Sequence, residues 1–277
     1  MNIRSNAHMI RAFGMRNTDP VASATGWDLS TATYTGASLA VGGDPQGLIV
    51  DPTVSRISHG DTGTDAIEQF TLTTPGDLSA GATGGAALSI VTESRDPTGL
   101  AYNADGTKGF MITKWDDEII RYSLATPYDF ASSTGIDYQD ATLGNAVDIA
   151  FNADGTSMYV TEENNTRIAK YDLSIAYDTT TRGALQSAFT LVASKFTIDL
   201  KPDESKVYVA RNGVDEVLEI TMSTPGDLST GTITFTLDVS AQTNLKITGI
   251  AFSASGKLMY LLDRGSDTVY EYSVGPA

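Results

Sequence analysis

Three carboxylates, Asp51, Asp148 and Asp199, stand in short, otherwise apolar stretches, where a charge seldom sits without a task. Carboxyl pairs about 5–10 Å apart can cleave glycosidic bonds, one as acid and the other as base or nucleophile. Asp148 is the odd one of its kind: where "VDIAF" has Asp148, the sister stretches "QGLIV", "TGLAY" and "TGIAF" have Gly47, Gly99 and Gly249. A second cluster, "SHGDTGTD" (residues 58–65), offers His59, Asp61 and Asp65 in what reads as one solvated loop. That set is short of metal ligands. The only other histidine is His8, so a three-histidine metal site is excluded and a Ser-His-Asp triad would have to draw on one of the two. With no Cys, thiolate metal sites, Cys nucleophiles and disulfides are excluded as well. The inner carboxylates read as hydrated or paired groups; no catalytic residue, metal or cofactor is expected.

What positions these residues is a repeat. "TPGDLS" occurs at residues 74–79 and again at 224–229, with "TGWDLS" at 25–30. Its aspartate recurs as Asp28, Asp77, Asp129, Asp178 and Asp227, at intervals of 49, 52, 49 and 49 residues. A second motif, clearest as "GLAYNADGTKGFMIT" and "DIAFNADGTSMYVTE", places its turn at Thr53, Asp105, Asp154, Asp203 and Ser255. The first four turns each lie 24 residues ahead of a hexamer aspartate. The fifth turn would need its hexamer beyond the last residue, Ala277, and the spare hexamer is the one at Asp28. One repeat is therefore split between the two ends of the chain, as in a closed ring.

Within each unit the apolar period is 2, rich in β-branched and aromatic residues: "GLAYN", then "FMIT", then "EIIRYSL", then a looser segment such as "GTITFTLDV". Four short antiparallel strands per roughly 50 residues make a propeller blade. The expected fold is all-β: a five-bladed β-propeller whose ring is closed by an N-terminal outer strand joining the C-terminal blade. Residues 1–24 form an N-terminal arm and 25–277 the propeller, with blades at about 46–97, 98–146, 147–194, 195–246, and 247–277 plus 25–45. "NADGT" is a hairpin turn, and "TPGD" has the Pro and Gly of a type II turn. Asp65, Asp117, Asp215 and Asp267, with Thr166 in the remaining blade, recur at a third turn and read as turn caps.

The net charge of −16 argues against nucleic acid or an anionic membrane surface as partner. No apolar run approaches the roughly 20 residues of a membrane-spanning helix. The opening "MNIRSNAHMIRAFGM" lacks the apolar core of a secretory signal, and reads as a locally basic, amphipathic arm.

The units "FTLTTPGDLSAGATGG" and "YSLATPYDFASSTGIDY", followed by "GLAYNADGTKGFMIT", resemble a repeat of tailed-phage virion proteins, and "MYVTEENNTRIAKYDL" is similar to YVTN-type surface propellers and the lactonase-like propeller fold. The resemblance spans about residues 25–274. It implies a non-enzymatic structural or adhesive component of a phage virion (head decoration, neck, or tail or fibre protein), assembled in the host cytoplasm. Met9, Ile10 and Phe13 of the arm would dock onto other virion proteins. The alternatives are a glycan-binding receptor-recognition propeller and a propeller hydrolase or lactonase. For a host-surface glycan or a docking partner, the candidate aromatics are Trp27, Tyr128 and Tyr177, each just before a hexamer aspartate, and Trp115 in an acidic loop.

Overall fold

The structure is a computed structural model, and it describes residues 26–92, 96–114, 116–141, 143, 145–192, 196–244 and 246–275. The arm, with Met9, Ile10 and Phe13, lies outside the described residues, as does Trp115.

Among the described residues, twenty strands form five four-stranded antiparallel sheets, as the repeat predicts. Blade one contains β2 (Pro45–Val50), β3 (Arg56–Asp61), β4 (Ala66–Thr74) and β5 (Asp77–Ser89). Blade two contains β6 (Pro97–Tyr102), β7 (Lys108–Thr113), β8 (Glu118–Leu124) and β9 (Ser133–Ala141). Blade three contains β10 (Ala146–Phe151), β11 (Ser157–Glu162), β12 (Arg167–Leu173) and β13 (Arg182–Thr190). Blade four contains β14 (Phe196–Leu200), β15 (Lys206–Arg211), β16 (Glu216–Met222) and β17 (Gly231–Asp238). Blade five takes β18 (Ile247–Phe252), β19 (Leu258–Asp263) and β20 (Thr268–Ser273) from the C-terminal region, and its outer strand is β1 (Thr33–Ala40). The inner strands touch in the cyclic order β2, β6, β10, β14, β18 and back to β2.

The split blade is joined by more than its ladder, which pairs Thr33 with Ser273 and Ala40 with Thr268. The N–H of Trp27 donates to the carbonyl of Gly256 at 2.9 Å, and that of Gly275 to Thr31 Oγ1 at 2.6 Å. Period-2 alternation sends side chains to both faces of every sheet, so the core lies between blades. One cluster packs Ile67 and Ile90 of blade one against Leu100, Met111, Ile120 and Phe130 of blade two.

Each hexamer aspartate caps the short turn after it. Asp28, Asp129, Asp178 and Asp227 accept from the backbone N–H two residues on and start single 3-10 turns, while Asp77 does the same at the head of β5. Hydroxyl donation from Ser30 and Ser79 holds the carboxyls of Asp28 and Asp77 below the usual carboxylate range. The next residue, Leu29, Leu78, Phe130, Thr179 or Leu228, is buried in every blade.

Candidate functional site

The inner strands converge on a central cavity of about 270 Å³ at the end where they turn back, lined by Asp51, Tyr102, Tyr128, Tyr177 and Asp199 among others. The three inner carboxylates have different fates. Asp51 is spent on its own turn, accepting from the N–H groups of Ser55 (2.6 Å) and Arg56 (3.2 Å). Asp148 is only 4% exposed and does not line the cavity. Its Oδ1 accepts from Ile149 N at 2.9 Å, and its Oδ2 reaches across the seam to Ile198 N of blade four at 2.8 Å. Asp199 repeats the device one seam on and one level along the strand, accepting from Leu200 N and from Phe252 N of blade five, both at 2.7 Å. Burial pushes Asp148 well above the usual carboxylate range and Asp199 up to about 7. Both oxygens of each are thus engaged in stitching neighbouring inner strands, whose channel edges would otherwise leave N–H groups bare.

The reading of residues 58–65 as a solvated loop is corrected. His59 and Asp61 belong to β3 and are buried at 0% and 1% exposure. Aligned by their turns, His59 stands where the other blades put Met111, Val160, Val209 and Leu261. It stacks on Phe70, 5.9 Å between ring centroids, and its Nδ1 lies 2.9 Å from the Gly60 carbonyl. Desolvation holds it below the usual imidazole range and therefore neutral. Among the described residues no group of three or more His, Asp or Glu could hold a metal. Asp65, Asp117, Thr166, Asp215 and Asp267 all sit at φ between 46° and 54°, the left-handed turn position their recurrence announces.

The hexamer aromatics are packed on glycine. Trp27, Tyr128 and Tyr177 lie over Gly256, Gly106 and Gly155 of their own blade's first turn, and a Cβ there would come within 2.5 Å of the ring. Where the hexamer has glycine instead, as Gly76 and Gly226, the first turn carries a side chain, Val54 or Glu204. The exchange is reciprocal: one ring or one side chain fills each place. In all five blades the first-turn carbonyl accepts the N–H of the residue before the hexamer aspartate. Trp27 is 6% exposed, stacked on Phe252 at 5.0 Å, so its ring is not free to stack on a sugar; Tyr128 and Tyr177 are half-buried at the cavity. Tyr177 Oη donates to the Ala153 carbonyl at 3.1 Å, and Tyr128 Oη to that of Ala104.

A further set of positions escaped the sequence reading. Sixteen residues after each first turn stand Gln69, Arg121, Lys170, Glu219 and Glu271, and each reaches the next blade. Glu219 Oε2 accepts from Leu29 N at 3.1 Å, and Glu271 Oε2 from Leu78 N at 3.0 Å. Gln69 accepts from Phe130 N at 3.1 Å and donates to the Tyr128 carbonyl at 2.8 Å. Arg121 donates to the Tyr177 carbonyl at 3.1 Å, and Lys170 Nζ lies 3.5 Å from Glu204 Oε1. At that last seam Ser187 Oγ accepts from the hexamer N–H of Leu228 at 3.1 Å. The hexamer is thus the receiver of a latch at every seam. The usable signal was the constant offset of 16, combined with polar side chains in a half-buried strand.

No family model matches the chain, and no curated protein does. Among solved structures it is similar to Myxococcus xanthus glutaminyl cyclase, at 14% identity and a TM-score of 0.58, over 88% of this chain and 96% of that one. A lactonase-like propeller from Bacteroides uniformis matches at 15% identity and a TM-score of 0.45, over 81% of this chain and 65% of its own. A chain of the mitotic checkpoint complex matches at 12% and 0.49, over 83% of this chain and 61% of its own. This chain therefore spans less than two thirds of the last two. At such identities the likeness shows the propeller fold alone.

Proposed function

We propose that this chain is a non-enzymatic structural or adhesive propeller of a phage particle, attached to its neighbours through the arm of residues 1–24. The observation that supports a non-enzymatic role is the use of the inner acids. Asp148 and Asp199 give both oxygens to backbone N–H groups of adjacent inner strands, and Asp51 gives its oxygens to the N–H groups and hydroxyls of its own turn. A catalytic acid or base instead needs a reacting atom within hydrogen-bond reach. The repeat's likeness to tailed-phage virion proteins supports the setting. For the attachment, the arm carries Arg4, Arg11 and Arg16 with apolar Met9, Ile10 and Phe13, a basic amphipathic complement to acidic neighbours.

The test is removal of residues 1–24. The shortened chain should fold with an unchanged thermal midpoint but fail to appear in purified particles, measured by quantitative mass spectrometry against the full chain. Undiminished incorporation would sink the docking role. The half-buried Tyr128 and Tyr177 at the cavity favour, as the second reading, a glycan-binding propeller. Retained glycan-array hits that vanish in Tyr128→Ala or Tyr177→Ala would support it, and an array without hits would count against it.

A further inference from the structure

The cavity edge of each inner strand carries a peptide N–H that its blade's strand ladder does not use. Asp51, Asn103, Asn152, Lys201 and Ser253 donate their N–H groups to the second strands of their blades. Alternation then turns the N–H of the preceding residue, Val50, Tyr102, Phe151, Leu200 or Phe252, toward the channel. All five line the cavity. Two of the five N–H groups are visibly taken there: Asp199 holds Leu200 N with one oxygen and Phe252 N with the other. No side chain takes those of Val50, Tyr102 and Phe151 among the described residues. The seams between blades one and two, and between two and three, therefore present the same pair of converging donors without the carboxylate.

We propose that this vacant arc of the ring is a binding site for the carboxylate group of a small organic acid, which bridges two adjacent inner strands as Asp199 bridges the fourth and fifth. Converging backbone N–H groups capture carboxylates without any basic side chain. The built-in Asp199 fixes the bite: one oxygen per strand. The positions equivalent to Asp199 explain why the arc is open. They are Ile49, Ala101, Ala150 and Ala251, none of which can accept a hydrogen bond through its side chain. The cavity of about 270 Å³, whose lining includes the half-buried Tyr128 and Tyr177, leaves room for the rest of a small acid. The acids beside the channel do not fill the arc: Asp51 is tied to its turn and Asp148 to the seam between blades three and four.

The test is an amide-resolved titration of the full chain, 15N-labelled, with sodium acetate at constant ionic strength, and with acetamide as the uncharged control. Saturable shifts at the amides of Val50, Tyr102 and Phe151 with acetate, and at least tenfold weaker ones with acetamide, are expected. The variant Ala101→Asp supplies its own carboxylate to Tyr102 and Phe151, and should lose the acetate response at those two amides. Absence of any saturable shift at the three amides in the unmodified chain overturns the site, as does an undiminished response in folded Ala101→Asp. Should that variant not fold, Asp199→Ala decides the bridging geometry. Its thermal midpoint should recover in acetate relative to chloride at equal ionic strength; no recovery contradicts the bridge.

Discussion

At the residue scale, Asp148, Asp199, Glu219 and Glu271 each use one carboxyl oxygen to accept a backbone N–H of the neighbouring blade. Glu271 is 6% exposed and accepts the N–H of Leu78. Glu271→Ala leaves that buried donor unpaired and should cost about 1–3 kcal/mol. Glu271→Gln keeps an acceptor, as Gln69 does at its own seam, and should cost less than about 1 kcal/mol by urea denaturation. Asp199 gives a pH dependence. Its folded pKa of about 7 lies above the ordinary carboxylate value because burial favours the neutral form. The folded state therefore holds this proton more tightly than the unfolded chain. The resulting stability is complete below about pH 4 and is lost as the pH rises toward 7. Asp148 is raised for the same reason and adds to the same trend. Thermal midpoints between pH 4 and 8 should fall less steeply for Asp199→Asn than for the unmodified chain; parallel curves would contradict the assignment.

At the element scale, the unit of construction is the contact between the first turn and the hexamer of one blade. Gly155 is at φ +72° and its absent Cβ would lie 2.2 Å from the Tyr177 ring, so Gly155→Ala should destabilise by about 1–3 kcal/mol. Combining Gly155→Glu with Tyr177→Gly reproduces the Glu204–Gly226 arrangement of blade four. The double variant should be more stable than the sum of the single changes, which a double-mutant cycle measures. This pairing was readable in the aligned repeats, Trp27 with Gly256 and Gly76 with Val54, because both partners lie in one unit. The inner three strands were readable too, since they are rich in buried apolar residues and the register shifts in four of the five innermost ladders fall in the first half of the inner strand. The outer strands were harder: all five ladders they form carry a register shift, as between Tyr34 and Ser38, so the period-2 signal breaks midway. At the seams the offset of 16 marks one polar position in each repeat but not the partner it reaches. The two ends of each seam lie in different repeats, and the residues that reach across are of different types, Gln, Arg, Glu, and Lys170 with Ser187 between blades three and four, so composition alone ties none to its receiver.

At the scale of the whole molecule, the ring is closed by noncovalent contacts between the two ends of the chain. Trp27 and Leu29 share a core cluster with Ile250, Phe252 and Val274, and Glu219 of blade four latches onto Leu29. A chain begun at residue 46 lacks β1, exposes the edge of β20 and leaves Glu219 without its receiver. It should lose the single cooperative unfolding transition and associate through the bared edge. A chain begun at residue 25 keeps every one of these contacts and should melt as the full chain does, by calorimetry. The closure explains why one hexamer copy stands apart from its front half: sequence separation of the two halves is what sews the circle.

The proposed role as an arm-docked particle component is tested most directly by a density map of the purified phage particle. The account predicts a five-bladed ring at the particle surface, with density continuing from Gly26 through residues 1–24 into a neighbouring subunit. Particles that contain the chain with no contact made by residues 1–24, or particles of full infectivity that lack the chain, would contradict it.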